Sequence, residues 1–336
     1  MTDSSEPGKH RILVLGGTGT IGRATVAALV GRGYEVVCIA RSKAGVKGKL
    51  SQEKTTRLLA GAEVCFGDVT DPKFLAEQVF HNRKFHAVVS CIASRTGEPR
   101  DTWAIDYQAN MDVLSLAKES GVKQMVLLSA ICVQKPLLEF QNAKLAFEKA
   151  LIESGLIYSI VRPTAFFKSL VGQVDRVKKG KPFLLFGDGT LTACKPISDA
   201  DLAQYITDCL KNTSLQNKIL PIGGPGPAIT LLEQGEYLFK ILDSKPRFKS
   251  VPASLLSGAA KFLDAIAKVI PPLAAKAELA RIGHYYATES MLVLNSETGL
   301  YDADATPETG KDTLFDYLKQ LVDGSETAEQ FDYDLF

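Results

Sequence analysis

Residues 12–29 read ILVLGGTGTIGRATVAAL: an apolar run, then glycines spaced three apart, then an Ala/Val-rich helical pattern. This stretch constrains the fold more than any other. A short buried strand that turns straight into a helix through glycine needs a second, parallel strand to complete a βαβ unit. Gly16 permits the tight turn, Gly19 lets the backbone come close to a bound group, and Gly22 allows the helix to pack on the strand. The backbone of Thr18, Thr20 and Ile21 then borders an anion site at the positive end of the helix dipole.

The alternation continues down the first half of the chain. Apolar, β-rich runs occur at 12–15, 36–39, 64–66, 87–91, 125–128 and 158–161, with helical patterns at about 20–32, 51–60, 72–81, 103–120 and 140–154. Short apolar strands separated by helices imply an α/β fold: a doubly wound Rossmann parallel sheet with helices on both faces. After Arg162–Pro163 the rhythm breaks, and Gly and Pro punctuate GKPFLLFGDGT and LPIGGPGPAIT. The expected organisation is a nucleotide-binding domain over 10–165 and a smaller C-terminal substrate-binding lobe over 166–323. That lobe is interleaved with the last sheet elements, and a mobile tail over 324–336 follows it.

Composition removes several classes of function. With 39 basic and 38 acidic side chains the net charge is +1, which argues against a nucleic-acid partner. The six cysteines (38, 65, 91, 132, 194 and 209) include no C-x-x-C pair, so no metal site is expected. No stretch reaches the roughly 18 uninterrupted apolar residues of a membrane span. The polar start MTDSSEPGKH leaves no room for a signal or transit peptide before the first strand, so a cytoplasmic protein is expected.

The end of the second strand distinguishes between nucleotides. A carboxylate about 20 residues beyond the glycine turn would hold a ribose 2′-OH, as in NAD enzymes. Here VVCIARSKAG places Ala40 and Arg41 there, with Lys43 behind and Lys47 in reach. A guanidinium binds a 2′-phosphate bidentately, and the reading is NADPH. GDVTD places Asp68 and Val69 at the adenine edge, and SCIASR places Ala93, Ser94 and Arg95 toward the nicotinamide. Arg95 reads equally as a second phosphate contact or a surface residue. Pro163, closing the last regular strand, borders the same cofactor site.

The chemical end lies in SAICVQKPLLEFQNAK, residues 129–144. Ser129 stands at a strand end, and Lys144 lies on the helix that follows, where an ammonium can hold ribose hydroxyls or assist a proton donor. The tyrosine that short-chain reductases usually carry four residues before that lysine is replaced by Phe140, which has no proton to give. Its ring offers contact area suited to a flat aromatic substrate.

The segments LLSAICVQKPLLEFQNAKLAFE, YSIVRPTAFFKSL, FGDGTLTACKPISDADLA, LPIGGPGPAITLLEQGE and YYATESMLVLNSETGLY carry a resemblance. Together they resemble the NADPH-dependent divinyl chlorophyllide a 8-vinyl-reductases, atypical short-chain reductases with an NmrA-like Rossmann domain. The likeness runs from about Arg11 to Leu321. It implies reduction of the 8-vinyl group of a divinyl chlorophyllide-type tetrapyrrole to 8-ethyl. Phe140 is no departure from that family, whose segment also reads EFQ-AK. A conjugated vinyl group delocalises the charge left by hydride addition, so its reduction does not need the tyrosine that a ketone's oxyanion needs. Without a transit peptide, the chain looks more like a bacterial phototroph's enzyme than a plant precursor, with a processed plastid protein as the alternative.

Phe140, Phe166, Phe167, Tyr285 and Tyr286 are the substrate-contact candidates, and Tyr285 and Tyr286 double as candidate proton donors. His284 reads as an axial ligand to the pigment's magnesium or, more simply, as a satisfied structural histidine. Residues 251–279 carry apolar positions at helical spacing with lysines opposite, fitting a helix packed on the main domain, a pocket mouth or a membrane surface. Two rival functions stay open: a C=C reductase of the isoflavone or quinone type, and an NmrA-like NADP sensor without turnover.

Cofactor choice depends on Arg41 in this reading. Arg41→Asp should weaken NADPH binding by a few kcal/mol, the scale of losing a charge-assisted pair and adding repulsion, with NADH affected much less. Parallel titrations with the two nucleotides check this, and equal losses would remove Arg41 from 2′-phosphate recognition.

Overall fold

The computed structural model describes residues 10–43, 50–267 and 273–325. Six strands come first: β1 (Arg11–Leu15), β2 (Glu35–Ala40), β3 (Ala62–Phe66), β4 (Ala87–Ser90), β5 (Gln124–Leu128) and β6 (Ile157–Pro163). Two short strands, β7 (Phe183–Phe186) and β8 (Ala193–Cys194), precede β9 (Lys218–Ile222), which returns to the sheet. The sheet order is β3-β2-β1-β4-β5-β6-β9, every neighbour pair being parallel. The order reverses between β1 and β4, which opens a crevice at the carboxyl ends of those strands.

The near-continuous apolar character of these strands has a direct cause. Leu13 and Leu15 face one core layer with Met125, Phe147 and Leu151, whereas Ile12 and Val14 face the other with Val126, Val161 and Ile206. Both faces are covered by helices, so both sets of alternating side chains must be apolar.

Beyond residue 165 the chain does not leave the sheet behind. Helix Asp199–Asp208 packs on helix Thr20–Gly31, and an ion pair from Arg32 to Asp208 at 2.5 Å reinforces the contact. The lobe itself has a third apolar cluster built on Phe167, Phe183, Leu238 and Leu318. It contains three two-stranded pairings: β7 with β11 (Phe248–Val251), β8 with β10 (Ile229–Thr230), and β12 (Val293–Leu294) with β13 (Tyr301–Asp302). The expected mobile tail and Lys47 lie outside the described residues, apart from Gly324 and Ser325.

Two helical stretches depart from the regular period that the sequence suggests. Leu75–Phe80 and Trp103–Ala109 are wound as wider π-helical turns, the second running directly into helix Asn110–Glu119. Such turns often serve functional sites, because the extra residue per turn re-aims the side chains they carry.

A buried charge cluster ties helix Glu139–Ile152 to β6. The carboxylate of Glu148 accepts the Ser129 hydroxyl at 2.5 Å, the Arg162 Nε–H at 3.1 Å and a second Arg162 N–H. Removing one partner of such a pair leaves an uncompensated buried charge. Arg162→Met should therefore destabilise the protein by about 3–5 kcal/mol, measurable by denaturant unfolding.

Candidate active site

The glycine turn separates into two kinds of position. A Cβ on Gly16, whose φ is +77°, would stand 2.6 Å from the Cys91 carbonyl oxygen, and one on Gly22 would stand 2.1 Å from the Gly16 carbonyl oxygen. Those two glycines are therefore required by the fold. Gly19 is exposed with ordinary extended backbone, and an added Cβ would meet only the Gly16 oxygen at 3.3 Å. The space above Gly19 is left for something other than protein. Helix Thr20–Gly31 starts there without a side-chain cap and without an acidic residue in its first turn, as an anion site requires. Thr18 and Thr20 are half-buried beside the turn, and Ile21 is buried in the core layer behind it.

Arg41 and Lys43 follow β2 and are both exposed. Asp68 is also exposed, but its carboxylate accepts the Thr70 amide and hydroxyl at 2.9 and 2.8 Å, so it shapes the turn. Val69 packs against the core. These four residues follow the carboxyl ends of β2 and β3.

A cavity of about 290 Å³ continues from the crevice, lined by Ala93, Ser94, Arg95, Ser129, Phe140 and Lys144 among others. Lys144 Nζ lies 2.8 Å from Asp106 Oδ1, with the two side chains only 12% and 1% exposed. Asp106 Oδ2 accepts the Ser94 amide at 2.9 Å, so one carboxylate holds both the lysine and the loop after β4. Asp106 sits on the π-helical turn Trp103–Ala109, and sequence reasoning missed it. The signal that could have found it is the wide turn, which a regular period does not reveal. Asp101 secures the same loop. Burial would raise its pKa, but donors from Ser94 and Thr96 outweigh that and hold its carboxyl below the usual range. Ser129 borders the cavity but commits its hydroxyl to Glu148, which gives it a structural anchor in place of free chemistry.

A second cavity, about 310 Å³, adjoins the first, and Ala130, Phe166 and Tyr286 line both. Its walls are mostly apolar, including Pro163, Phe186, Ile229, Met291 and Leu314. Two of the substrate-contact candidates lie elsewhere. Phe167 is buried in the lobe core, tilted against Tyr317 with ring centroids 5.6 Å apart. Tyr285 is buried, and its hydroxyl reaches the carbonyls of Cys132 and Lys135 at 2.9 and 3.0 Å. It pins helix Leu273–Thr288 to the loop after β5 and lines neither cavity. His284 likewise lines neither, its Nδ1 lying 3.1 Å from the Ala253 carbonyl oxygen.

Comparison with known proteins follows the same lines. A family model described as NAD(P)H-binding matches residues 16–213. The chain is 51% identical over 340 residues to the divinyl chlorophyllide a 8-vinyl-reductase, chloroplastic, of Arabidopsis thaliana, covering 98% of this chain and 81% of the relative. Among solved structures, AtPrR2 with NADP+ and (+)pinoresinol superposes with a TM-score of 0.66 at 19% identity, covering 93% of this chain and 98% of that one. The NADPH-dependent quinone oxidoreductase QOR2 of Escherichia coli gives 0.66 at 18%, covering 93% and 99%. At such identities the two structures speak for the fold alone. The expectation of a cytoplasmic setting gains no support from a chloroplastic relative, and no described helix is long and apolar enough to cross a membrane.

The two kinds of glycine should separate experimentally. Gly19→Val should keep the fold and its melting temperature while losing nucleotide affinity, because the new side chain occupies the phosphate space. Gly22→Val should fail at folding itself. Thermal melts paired with nucleotide titration distinguish the two, and normal NADPH affinity in Gly19→Val would show that the phosphates bind elsewhere.

Proposed function

The chain belongs to the divinyl chlorophyllide a 8-vinyl-reductase family, and on that premise we propose that it reduces the 8-vinyl group of divinyl chlorophyllide a, or a related divinyl precursor, to 8-ethyl with NADPH. The observation that carries the reading is the junction of two cavities, one bearing Lys144 beside the nucleotide crevice and the other walled by apolar side chains. The apolar walls of the second suit contact with part of a flat, largely apolar macrocycle, its reacting edge turned toward the first.

NADPH, when bound, supplies the hydride. The chain's own residues hold, shield and orient. The glycine turn and the start of helix Thr20–Gly31 would hold the pyrophosphate, and Arg41 with Lys43 would meet the 2′-phosphate. Lys144 would hold the nicotinamide ribose, and Asp106 fixes where its ammonium points. The ammonium and the carboxylate offset one another where they line the cavity. Phe140 and Phe166 supply aromatic walls. The missing tyrosine at position 140 agrees with a conjugated C=C as the reacting group, since the charge after hydride addition spreads over the ring system.

The pigment's surroundings bear on one further surface. Leu255 and Phe262, seven residues apart on helix Ser254–Ala267, are 62% and 67% exposed on one face and favour contact with a membrane-associated pigment supply.

Anaerobic incubation with NADPH and divinyl chlorophyllide a should yield the monovinyl product, separated by chromatography. Lys144→Ala should lower turnover by about 100-fold or more, the usual scale of acid–base or positioning assistance. NADPH oxidation without any monovinyl pigment would overturn the substrate, and wild-type turnover in Lys144→Ala would remove the lysine from the mechanism.

A further inference from the structure

The proton that completes the reduction needs a source, and helix Glu139–Ile152 offers Phe140 where a phenol would stand. Other hydroxyls around the first cavity are already committed: Ser94 and Thr96 donate to Asp101, and Ser129 donates to Glu148. Tyr286 differs. Its ring lines both cavities, and among the described residues its hydroxyl has only a loose contact, 3.9 Å from the Cys132 sulfur. It comes from helix Leu273–Thr288, a different element from the one that carries Phe140.

We propose that Tyr286 is the proton donor of the vinyl reduction, a phenol supplied from the substrate lobe in place of the one absent from position 140. This rests on the vinyl-reductase reading and adds a residue to it. The step balances. Hydride adds to the terminal vinyl carbon and NADPH becomes NADP+. The vinyl π pair moves to the internal carbon and into the conjugated ring system, and the Tyr286 O–H gives its proton to that internal carbon. The phenolate left behind takes a proton from water after the product leaves. Tyr285, its neighbour in sequence, cannot take the role, because its hydroxyl is bound to backbone and faces neither cavity.

The test compares wild type, Tyr286→Phe and Tyr285→Phe with NADPH and divinyl chlorophyllide a in D2O. Protonation of the internal carbon from a fixed donor puts deuterium on one face of the new methylene group, which NMR of the product reads. The expected result is single-face labelling in wild type and in Tyr285→Phe, the latter with a lowered melting temperature. In Tyr286→Phe, turnover should fall about 100-fold and the label should appear on both faces, with NADPH affinity unchanged. Wild-type turnover in Tyr286→Phe, or a slowed Tyr286→Phe that still labels one face, would overturn the assignment while leaving the vinyl-reductase reading intact. A wild-type protein that forms no monovinyl product would overturn that reading and the assignment with it.

Discussion

No side chain can exist at position 22. The first carbon of one would lie 2.1 Å from the Gly16 carbonyl oxygen, well inside contact distance. That single exclusion sets how closely helix Thr20–Gly31 lies against the end of β1, and so where its first amides point. The exposed backbone at Gly19, between these two glycines, takes its geometry from this contact. The turn between β1 and the helix is thus set by close backbone packing.

The chemistry is held by a different device. A carboxylate at 1% exposure would be costly alone, and Asp106 is not alone: it takes the Lys144 ammonium on one oxygen and the Ser94 amide on the other. This links three separate segments, the loop after β4, the π-helical turn and helix Glu139–Ile152. Movement of any one would leave a buried charge unmatched. The consequence is a lysine with little freedom, which suits holding a ribose more than searching for a substrate.

How far the sequence revealed this depended on whether a residue's role is local. The six leading strands and the glycine turn were legible because alternation and spacing are properties of neighbours in the chain. Lys144 was legible for the same reason, through its distance from Ser129. Asp106 was not, since its partner lies 38 residues away and its helix turns with an unexpected period. Position in a motif also misled where burial decides the outcome. Phe166 and Phe167 look equivalent as a pair, as do Tyr285 and Tyr286, yet adjacent residues on a helix or at its start point in different directions. One member of each pair reaches the cavities and the other is buried in the packing.

The return of β9 to the edge of β6 also governs how the chain can be made. During synthesis, the strands up to residue 163 emerge with the β6 edge open and one flank of helix Thr20–Gly31 bare. The segments that cover them, Asp199–Asp208 and Lys218–Ile222, leave the ribosome later. The Asp201 carboxylate then waits another hundred residues for the amides of Lys311 and Asp312, which lie 3.0 and 2.9 Å from it. An unpaired edge of this kind is a template for wrong pairing. The sheet edge at β6 and the flank of helix Thr20–Gly31 are therefore completed by segments that leave the ribosome after residue 198.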